Sequence, residues 1–255
     1  MTTAPHRPGA GASVEVAGTA FGGARPGAVD WVLPEEVPVA LSYNRRRFGV
    51  MLASPTDLDD FALGFTLAER IAARPAEVGA ITVTPAREGF AVAIEIPEER
   101  MALMTARRRA LEARSGCGLC GIEDLDAFHA PLPKVATPHP APEALLLAFA
   151  ALQDRQPQRA RNFSVHAAAW CRLDGTIDLV REDVGRHSAL DKLIGAMARA
   201  DRDPAAGFVL MSSRCGFELV QKAAAVGIGF LACVSAPTSL AVDEAAASGI
   251  GLACA

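Results

Sequence analysis

Phe208-Val209-Leu210-Met211-Ser212-Ser213-Arg214-Cys215-Gly216-Phe217 opens with four apolar residues, turns polar, reaches a glycine and enters a helical pattern that runs to Val226. A short apolar run of this kind suits a strand buried on both faces. The same grammar repeats downstream: strand Phe230–Val234, helix Leu240–Ala247, strand Ile250–Cys254. Gly227 and Gly249 stand where helices commonly end on a glycine. Upstream, Pro142–Asp154 reads as a helix. Ser164–Cys171 and Thr176–Val180 read as strands joined by the turn Leu173-Asp174-Gly175, and His187–Ala200 as a helix. The order α-β-β-α-β-α-β-α-β predicts an α/β domain over residues 141–255, with a parallel sheet between helical layers. No internal repeat is visible.

The first half reads differently. Residues 1–28 are rich in Gly, Ala and Pro and predict a mobile tail. Val37–Leu41 and Phe48–Ala53 predict two strands around the turn Tyr43–Arg47. Ser54-Pro55-Thr56-Asp57 predicts a helix start, with Ser54 as N-cap and Pro55 at the first helical position. Leu58, Phe61, Ala62, Phe65, Ala68 and Ala72 follow at helical spacing. Gly79–Thr84 and Phe90–Ile96 predict a hairpin, and Glu99–Ala113 a helix. A smaller α+β domain over residues 29–122 follows from this. A linker over 123–140 carries Pro131, Pro133, Pro138 and Pro140.

The chain of 255 residues is 51% hydrophobic, which gives ample material for a core. A net charge of −4 argues against general nucleic-acid binding. No apolar run is long enough to span a membrane, and residues 1–11 show no secretory signal. Cys171, Cys233 and Cys254 lie in apolar, strand-like runs and read as reduced core residues of a cytoplasmic protein.

Cys117 and Cys120 stand apart from these. They occupy Ser115-Gly116-Cys117-Gly118-Leu119-Cys120-Gly121-Ile122, with glycine before, between and after the thiols. The spacing suits a redox pair, half a zinc site or a pair that carries sulfur. Arg107, Arg108, Arg109 and Arg114 precede it, and positive charge favours the reactive thiolate. Zinc needs two further ligands. His129, His139, His166 and His187 could supply them only by long-range assembly, and no second CxxC is present. A thioredoxin-like motif should follow a strand, and this one lies on a glycine loop between two halves.

Three further stretches fall at predicted strand ends, where α/β folds bind ligands. Arg181–Lys192 places five charged or titratable groups within the seven residues Arg181–His187, and a helix would begin near His187. Ser212-Ser213-Arg214-Cys215-Gly216 offers hydroxyls and an arginine to a phosphate. Ser235-Ala236-Pro237-Thr238 repeats the arrangement. The element order resembles the cytidine deaminase-like fold. The deaminase chemistry is absent, because Ala168 stands two residues after His166 where that chemistry needs a glutamate.

Taken together, these segments resemble the formate dehydrogenase accessory sulfurtransferase family (FdhD/NarQ). Leu41-Ser42-Tyr43-Asn44-Arg45, Ser54–Phe65, the Gly116–Gly121 loop, His166–Ala169, Glu182–Lys192, Glu218–Ala223 and Ser235–Thr238 carry the likeness, which spans about Val37 to Ala253. The resemblance implies a carrier that takes persulfide sulfur from a cysteine desulfurase. It passes that sulfur to the molybdenum bis-molybdopterin guanine dinucleotide cofactor of formate dehydrogenase. Cys117 would bear the persulfide and Cys120 would be its partner. His166, Asp183, Arg186, His187, Ser213 and Arg214 form the expected cofactor-binding set, with Arg186 and Arg214 at the phosphates. The family implies a homodimer and a C-terminal half similar to cytidine deaminases. It also implies a further glycine- and arginine-bearing segment beyond the position of Ala255, and a glycine-rich turn where this chain has Asn162–Val165. No permanently bound cofactor, metal, nucleic acid or membrane is expected. The competing reading is a non-catalytic chaperone that holds the guanine dinucleotide, with the CxxC pair as a docking or zinc element.

Overall fold

A computed structural model describes residues 12–21, 27–109 and 132–255. Its first element is a correction. Where the composition predicts a mobile tail, β1 (Ser13–Ala20) and β2 (Gly27–Pro34) pair as an antiparallel ribbon, Ser13 opposite Pro34 and Ala20 opposite Gly27. Val14, Val16, Val29 and Trp31 supply the β-branched and aromatic positions that a strand favours, inside a stretch dominated by small residues.

The next four strands form one sheet in the order β4-β3-β6-β5: β3 (Val37–Tyr43), β4 (Arg46–Ala53), β5 (Ile81–Ala86) and β6 (Gly89–Ile94). Along β3, alternate residues Val37, Val39, Leu41 and Tyr43 are buried, as a strand with one covered face requires. The β3–β4 turn places Asn44 and Arg45 at φ 46° and 65°, the paired left-handed conformation that two-residue hairpins need. Asn44 fixes it to the segment just after β6: its Nδ2 donates to the Ile96 carbonyl (2.8 Å) and its Oδ1 accepts from the Ile96 amide (3.0 Å). Helix α2 (Glu98–Arg109) follows β6.

Helix α1 (Leu58–Ala68) sits between this sheet and the second half. It starts three residues later than a Pro55 start predicts. Asp57 is its N-cap in the left-handed region (φ 51°), without a side-chain cap bond, because Ser54 is engaged elsewhere. Phe61, Ala62 and Phe65 enter the core of the first sheet, while Leu63, Leu67 and Ala68 enter the core of the second. Only Asp59 of the helix is exposed, so α1 is a shared wall between the two halves.

The second sheet has the order β11-β10-β9-β7-β8: β7 (His166–Arg172), β8 (Ile177–Asp183), β9 (Gly207–Arg214), β10 (Phe230–Ser235) and β11 (Gly251–Cys254). The expectation of a parallel sheet is corrected at one strand. β9, β10 and β11 run parallel, but β7 is inserted antiparallel between β8 and β9. Helix α3 (Pro142–Leu152) covers one face through Ala148 and Leu152, against Ala167, Ala169, Cys171, Phe208 and Leu210. After a one-turn helix α4 (Arg159–Asn162), the other face is covered by α5 (Arg186–Arg199), α6 (Phe217–Ala225) and α7 (Ser239–Ser248). Gly249 ends α7 at φ 77°, in the expected C-terminal glycine conformation.

The described part of the proline-rich stretch has no regular structure, yet it is packed. Leu132 and Val135 reach the second core, and the Val135 amide donates to the Ser248 carbonyl (3.0 Å). No helix among the described residues is long and apolar enough to cross a membrane.

Candidate functional site

Because β7 opposes its neighbours, its first residue lies at the edge where β8, β9 and β10 end. His166 pairs with Asp183, and Arg214 pairs with Ser235. Helices α5, α6 and α7 start from this same edge, capped by Gly185, Gly216 and Thr238. Thr238 Oγ1 accepts from the Ala241 amide (3.3 Å). Gly185 and Gly216 have no side chain to offer, so the positive ends of α5 and α6 are left without a side-chain cap.

Asp183 organises the edge from beneath. Neither it nor Lys192 has an exposed side chain, and Lys192 Nζ lies 2.7 Å from Asp183 Oδ2. Asp183 also accepts from the amides of Ser54 (2.9 Å) and Gly185 (2.8 Å). Burial pushes its carboxyl up and the Lys192 charge pulls it back. Ser54 completes the knot, its Oγ accepting from the Val184 amide (3.1 Å) and its carbonyl from Lys192 Nζ (3.0 Å). The predicted N-cap serine is therefore the joint between the halves. Next to Asp183, the buried Glu182 accepts from the amides of Gln158 (2.8 Å) and Arg159 (2.9 Å) and ties the segment before α4 to the same strand end.

Above this base the edge is cationic. His166 is held below its ordinary pKa by burial first and the Arg186 charge second. Arg159 and Arg214 act in the same direction, and Asp183 opposes them. Arg186 Nε is buried and has no hydrogen-bond partner. His187 Nε2 lies 3.8 Å from Glu218 Oε2. Burial pushes His187 down to about 4, with Arg186 adding to the effect and Glu218 opposing it. The imidazole is neutral at physiological pH. Ser213 is buried and its Oγ donates to the Arg214 carbonyl (3.0 Å), while Arg214 is exposed. Ser212 Oγ accepts from the Ala167 amide (2.8 Å), which closes the start of β7.

The structure thus brings five of the six predicted positions, His166, Arg186, His187, Ser213 and Arg214, to one strand-end edge, with Asp183 buried directly below. Arg186 and Arg214, with the open amides of α5 and α6, can hold a polyanion. A buried guanidinium nitrogen without a partner fits a phosphate oxygen. Glu182 and Lys192 lie in the charged Arg181–Lys192 stretch that the sequence singles out, though not among its assigned site residues, while sequence reasoning missed Ser54, read as a helix cap, and Glu218 as parts of the site. Of those two, Glu218 carried a local signal, as an acidic residue in the first turn of a helix.

Cys117 and Cys120 lie outside the described residues. Cys171, Cys215 and Cys233 are buried and free. Cys254 is free but exposed, a correction to its reading as a core residue, because β11 is the sheet's edge strand. Among the described residues no three His, Cys, Asp or Glu side chains converge on a point that a metal ion could occupy.

Comparison with known proteins gives a consistent result. The profile of the FdhD/NarQ family matches residues 34–255. A protein of Bordetella petrii named sulfur carrier protein FdhD is 50% identical over 219 residues, covering 86% of this chain and 79% of the relative. A namesake from Xanthomonas campestris pv. campestris is 44% identical over 253 residues, covering 99% and 90%. Another, from Cupriavidus necator, is 49% identical over 222 residues, covering 86% and 76%. In fold, the chain is similar to a crystal structure described as a formate dehydrogenase accessory protein from Desulfotalea psychrophila. That match has a TM-score of 0.71 and 21% identity, and covers 96% of this chain and 92% of the other.

Proposed function

This chain belongs to the FdhD/NarQ family, and on that premise we propose that it is a sulfur carrier serving formate dehydrogenase. It takes sulfur from a cysteine desulfurase and delivers it to the molybdenum bis-molybdopterin guanine dinucleotide cofactor, its transient client. The Cys117 thiolate attacks the outer sulfur of the donor's persulfide. The donor's S–S bond breaks, its cysteine leaves as a thiolate, and Cys117 becomes the persulfide. Cys120 takes over that sulfur, or displaces it as hydrosulfide by forming a disulfide with Cys117. The client's phosphates rest on Arg186 and Arg214, at the open amides of α5 and α6.

The carrying observation is the strand-end edge itself, where a buried guanidinium nitrogen without a partner stands between two helix N-termini. We read the five-stranded layer as cytidine deaminase-like, supported by its helices on both faces and its ligand edge at the strand ends. We read the protein as a cytoplasmic homodimer.

The test is intact mass under non-reducing conditions after incubation with a cysteine desulfurase and cysteine. One added sulfur, lost on reduction and absent in Cys117→Ala, is expected. Full sulfur loading of Cys117→Ala overturns the carrier role of that residue. No loading at all, with guanine nucleotide binding retained, leaves the cofactor-holding chaperone as the better reading.

A further inference from the structure

Three of the free thiols form a line across the second sheet. Cys233 on β10 and Cys254 on β11 are register partners in a parallel pair, so their side chains leave the sheet on the same face. That face is the one covered by α5, α6 and α7: Cys233 belongs to the core beneath them, and Leu252, two residues before Cys254, packs against it. Neighbouring strands lie about 4.8 Å apart, inside the range of backbone separations that a disulfide bridges. On its other side Cys233 donates a hydrogen bond to the Cys215 sulfur. Cys215 Sγ donates in turn to the Gly216 carbonyl (4.0 Å).

The line runs from solvent to the ligand edge. Cys254 is exposed, whereas Cys215 and Cys233 are each 1% exposed. Cys215 sits in the turn between Arg214 and Gly216, the N-cap of α6. Its carbonyl accepts from the amide of Thr238, the N-cap of α7 (3.0 Å). The hydrogen bond from Cys233 holds the Cys215 thiol below its ordinary range, with burial and Glu218 opposing it. The same bond and burial push Cys233 up. Adjacent thiols add one thing to a core that methyl groups cannot: they can lose two hydrogens together.

We propose that these three cysteines are a reversible oxidation site, in which Cys254 meets a hydroperoxide and the disulfide that results is passed inward to Cys215 and Cys233. The Cys254 thiolate attacks the peroxide. The O–O bond breaks, hydroxide leaves, and Cys254 becomes a sulfenic acid. Cys233 attacks the sulfenic sulfur, the S–O bond breaks, and the hydroxyl departs with the Cys233 proton as water. Cys215 then attacks the Cys233 sulfur, the bond to Cys254 breaks, and Cys254 leaves with the Cys215 proton as a free thiol. One hydrogen peroxide is reduced to two waters, and two thiols become one disulfide. A covalent bond is shorter than a hydrogen-bonded contact, so it draws the Arg214–Gly216 turn towards β10 and away from a bound phosphate. This last consequence rests on the reading that the edge holds phosphates; the disulfide does not.

The test uses the full chain with Cys117→Ser and Cys120→Ser, so that the loop thiols do not react and four of the six cysteines remain. Hydrogen peroxide should consume two of those four thiols, and peptide mapping without reductant should find a Cys215–Cys233 disulfide that dithiothreitol reverses. Cys254→Ser should slow its formation about tenfold or more, because the remaining pair is shielded. Pyrophosphate affinity, measured by calorimetry, should fall about tenfold on oxidation, as loss of a charge-assisted bond implies. It should return with dithiothreitol and should not respond to peroxide in Cys233→Ala. Loss of the Cys254 thiol alone, or a Cys233–Cys254 bond with Cys215 still free, overturns the inward transfer. Formation at the parent's rate in Cys254→Ser overturns the role of the outer thiol. A Cys215–Cys233 disulfide with unchanged pyrophosphate affinity overturns the coupling to the edge. Failure of the reduced protein to bind pyrophosphate at millimolar concentration overturns the phosphate edge and the coupling with it, while the disulfide is judged by mapping alone.

Discussion

Lys192 and Asp183 face each other at 2.7 Å with no solvent on either side chain. Ser54, from the other half of the chain, bonds to both. The pair is thus a buried charge held between the two halves and under the ligand edge. Removing one partner leaves the other charged and desolvated, at a cost of about 3–5 kcal/mol. Lys192→Met should lower stability by that amount in urea unfolding, and Lys192→Met with Asp183→Leu should recover a good part of it. A Lys192→Met variant within about 1 kcal/mol of the parent would show that the carboxyl is accommodated without the ammonium.

The two halves also meet through glycine. A side chain at Gly64 would run into the Asp191 carbonyl, and one at Gly195 into the Asp60 carbonyl. Helices α1 and α5 therefore cross with their backbones nearly touching, and backbone cannot move aside as a flexible side chain can. Gly64→Ala and Gly195→Ala should each destabilise by about 3 kcal/mol or more, at or above the upper end for overpacked cores. Gly49 on β4 has open space where its Cβ would be. Gly49→Ala should lie within about 0.5 kcal/mol of the parent. Equal midpoints for Gly64→Ala and Gly49→Ala would refute the crossing.

These two contacts show where a sequence stops being legible. Alternation in Val37–Tyr43 and the strand–helix rhythm after Phe208 are local, and both were readable. The β7–β8 hairpin follows from its Asp174-Gly175 turn. The insertion of β7 beside β9 does not, because strand order depends on pairings about forty residues apart. Ser54-Pro55 carries every local mark of a helix cap, but its hydroxyl and amide bind residues about 130 positions away. A distant partner outcompeted the local one and left no periodic trace. The β1–β2 ribbon was hidden by its glycines and alanines. In the site, the charged residues were legible because they crowd strand ends, Lys192 among them at the end of the Arg181–Lys192 stretch, but its burial against Asp183 leaves no local mark.

The free cysteines separate by reactivity. Burial pushes the Cys171 thiol up to about 12, so it is protonated at neutral pH and shielded as well. Cys215 and Cys233 are buried in the second core, whereas Cys254 lies exposed on the edge strand. Brief iodoacetamide treatment of the native protein, read by peptide mapping, should label Cys254 and leave Cys171, Cys215 and Cys233 untouched. Full labelling of the last three should require denaturant. Native labelling of Cys215 at the rate of Cys254 would show that the strand-end turn opens in solution.

The histidines of the edge couple stability to pH in a defined direction. His187 is held at about 4 when folded, below its ordinary value near 6.5. Between those values the unfolded chain binds a proton there and the folded chain does not, so stability rises with pH through that window. The contribution is complete above about 6.5 and is lost as pH falls towards 4. His166, also depressed, adds in the same direction. Asp191 acts oppositely: burial pushes its carboxyl up to about 7, with Lys222 pulling back, so the folded chain takes the extra proton. The parent's profile therefore mixes the two signs, and a variant must separate them. His187→Gln removes one titrating group, so its stability relative to the parent should improve steadily as pH drops from about 6.5 to about 4. Arg186→Ala removes a cation that holds both rings down. In that variant the His187 and His166 resonances should titrate at higher pH than in the parent, and pyrophosphate binding should weaken about tenfold or more, as loss of a charge-assisted bond implies. If the ring titrations stay in place while pyrophosphate binding falls, Arg186 meets the phosphate but does not set the field at the edge. If both stay in place, the guanidinium is not part of the site.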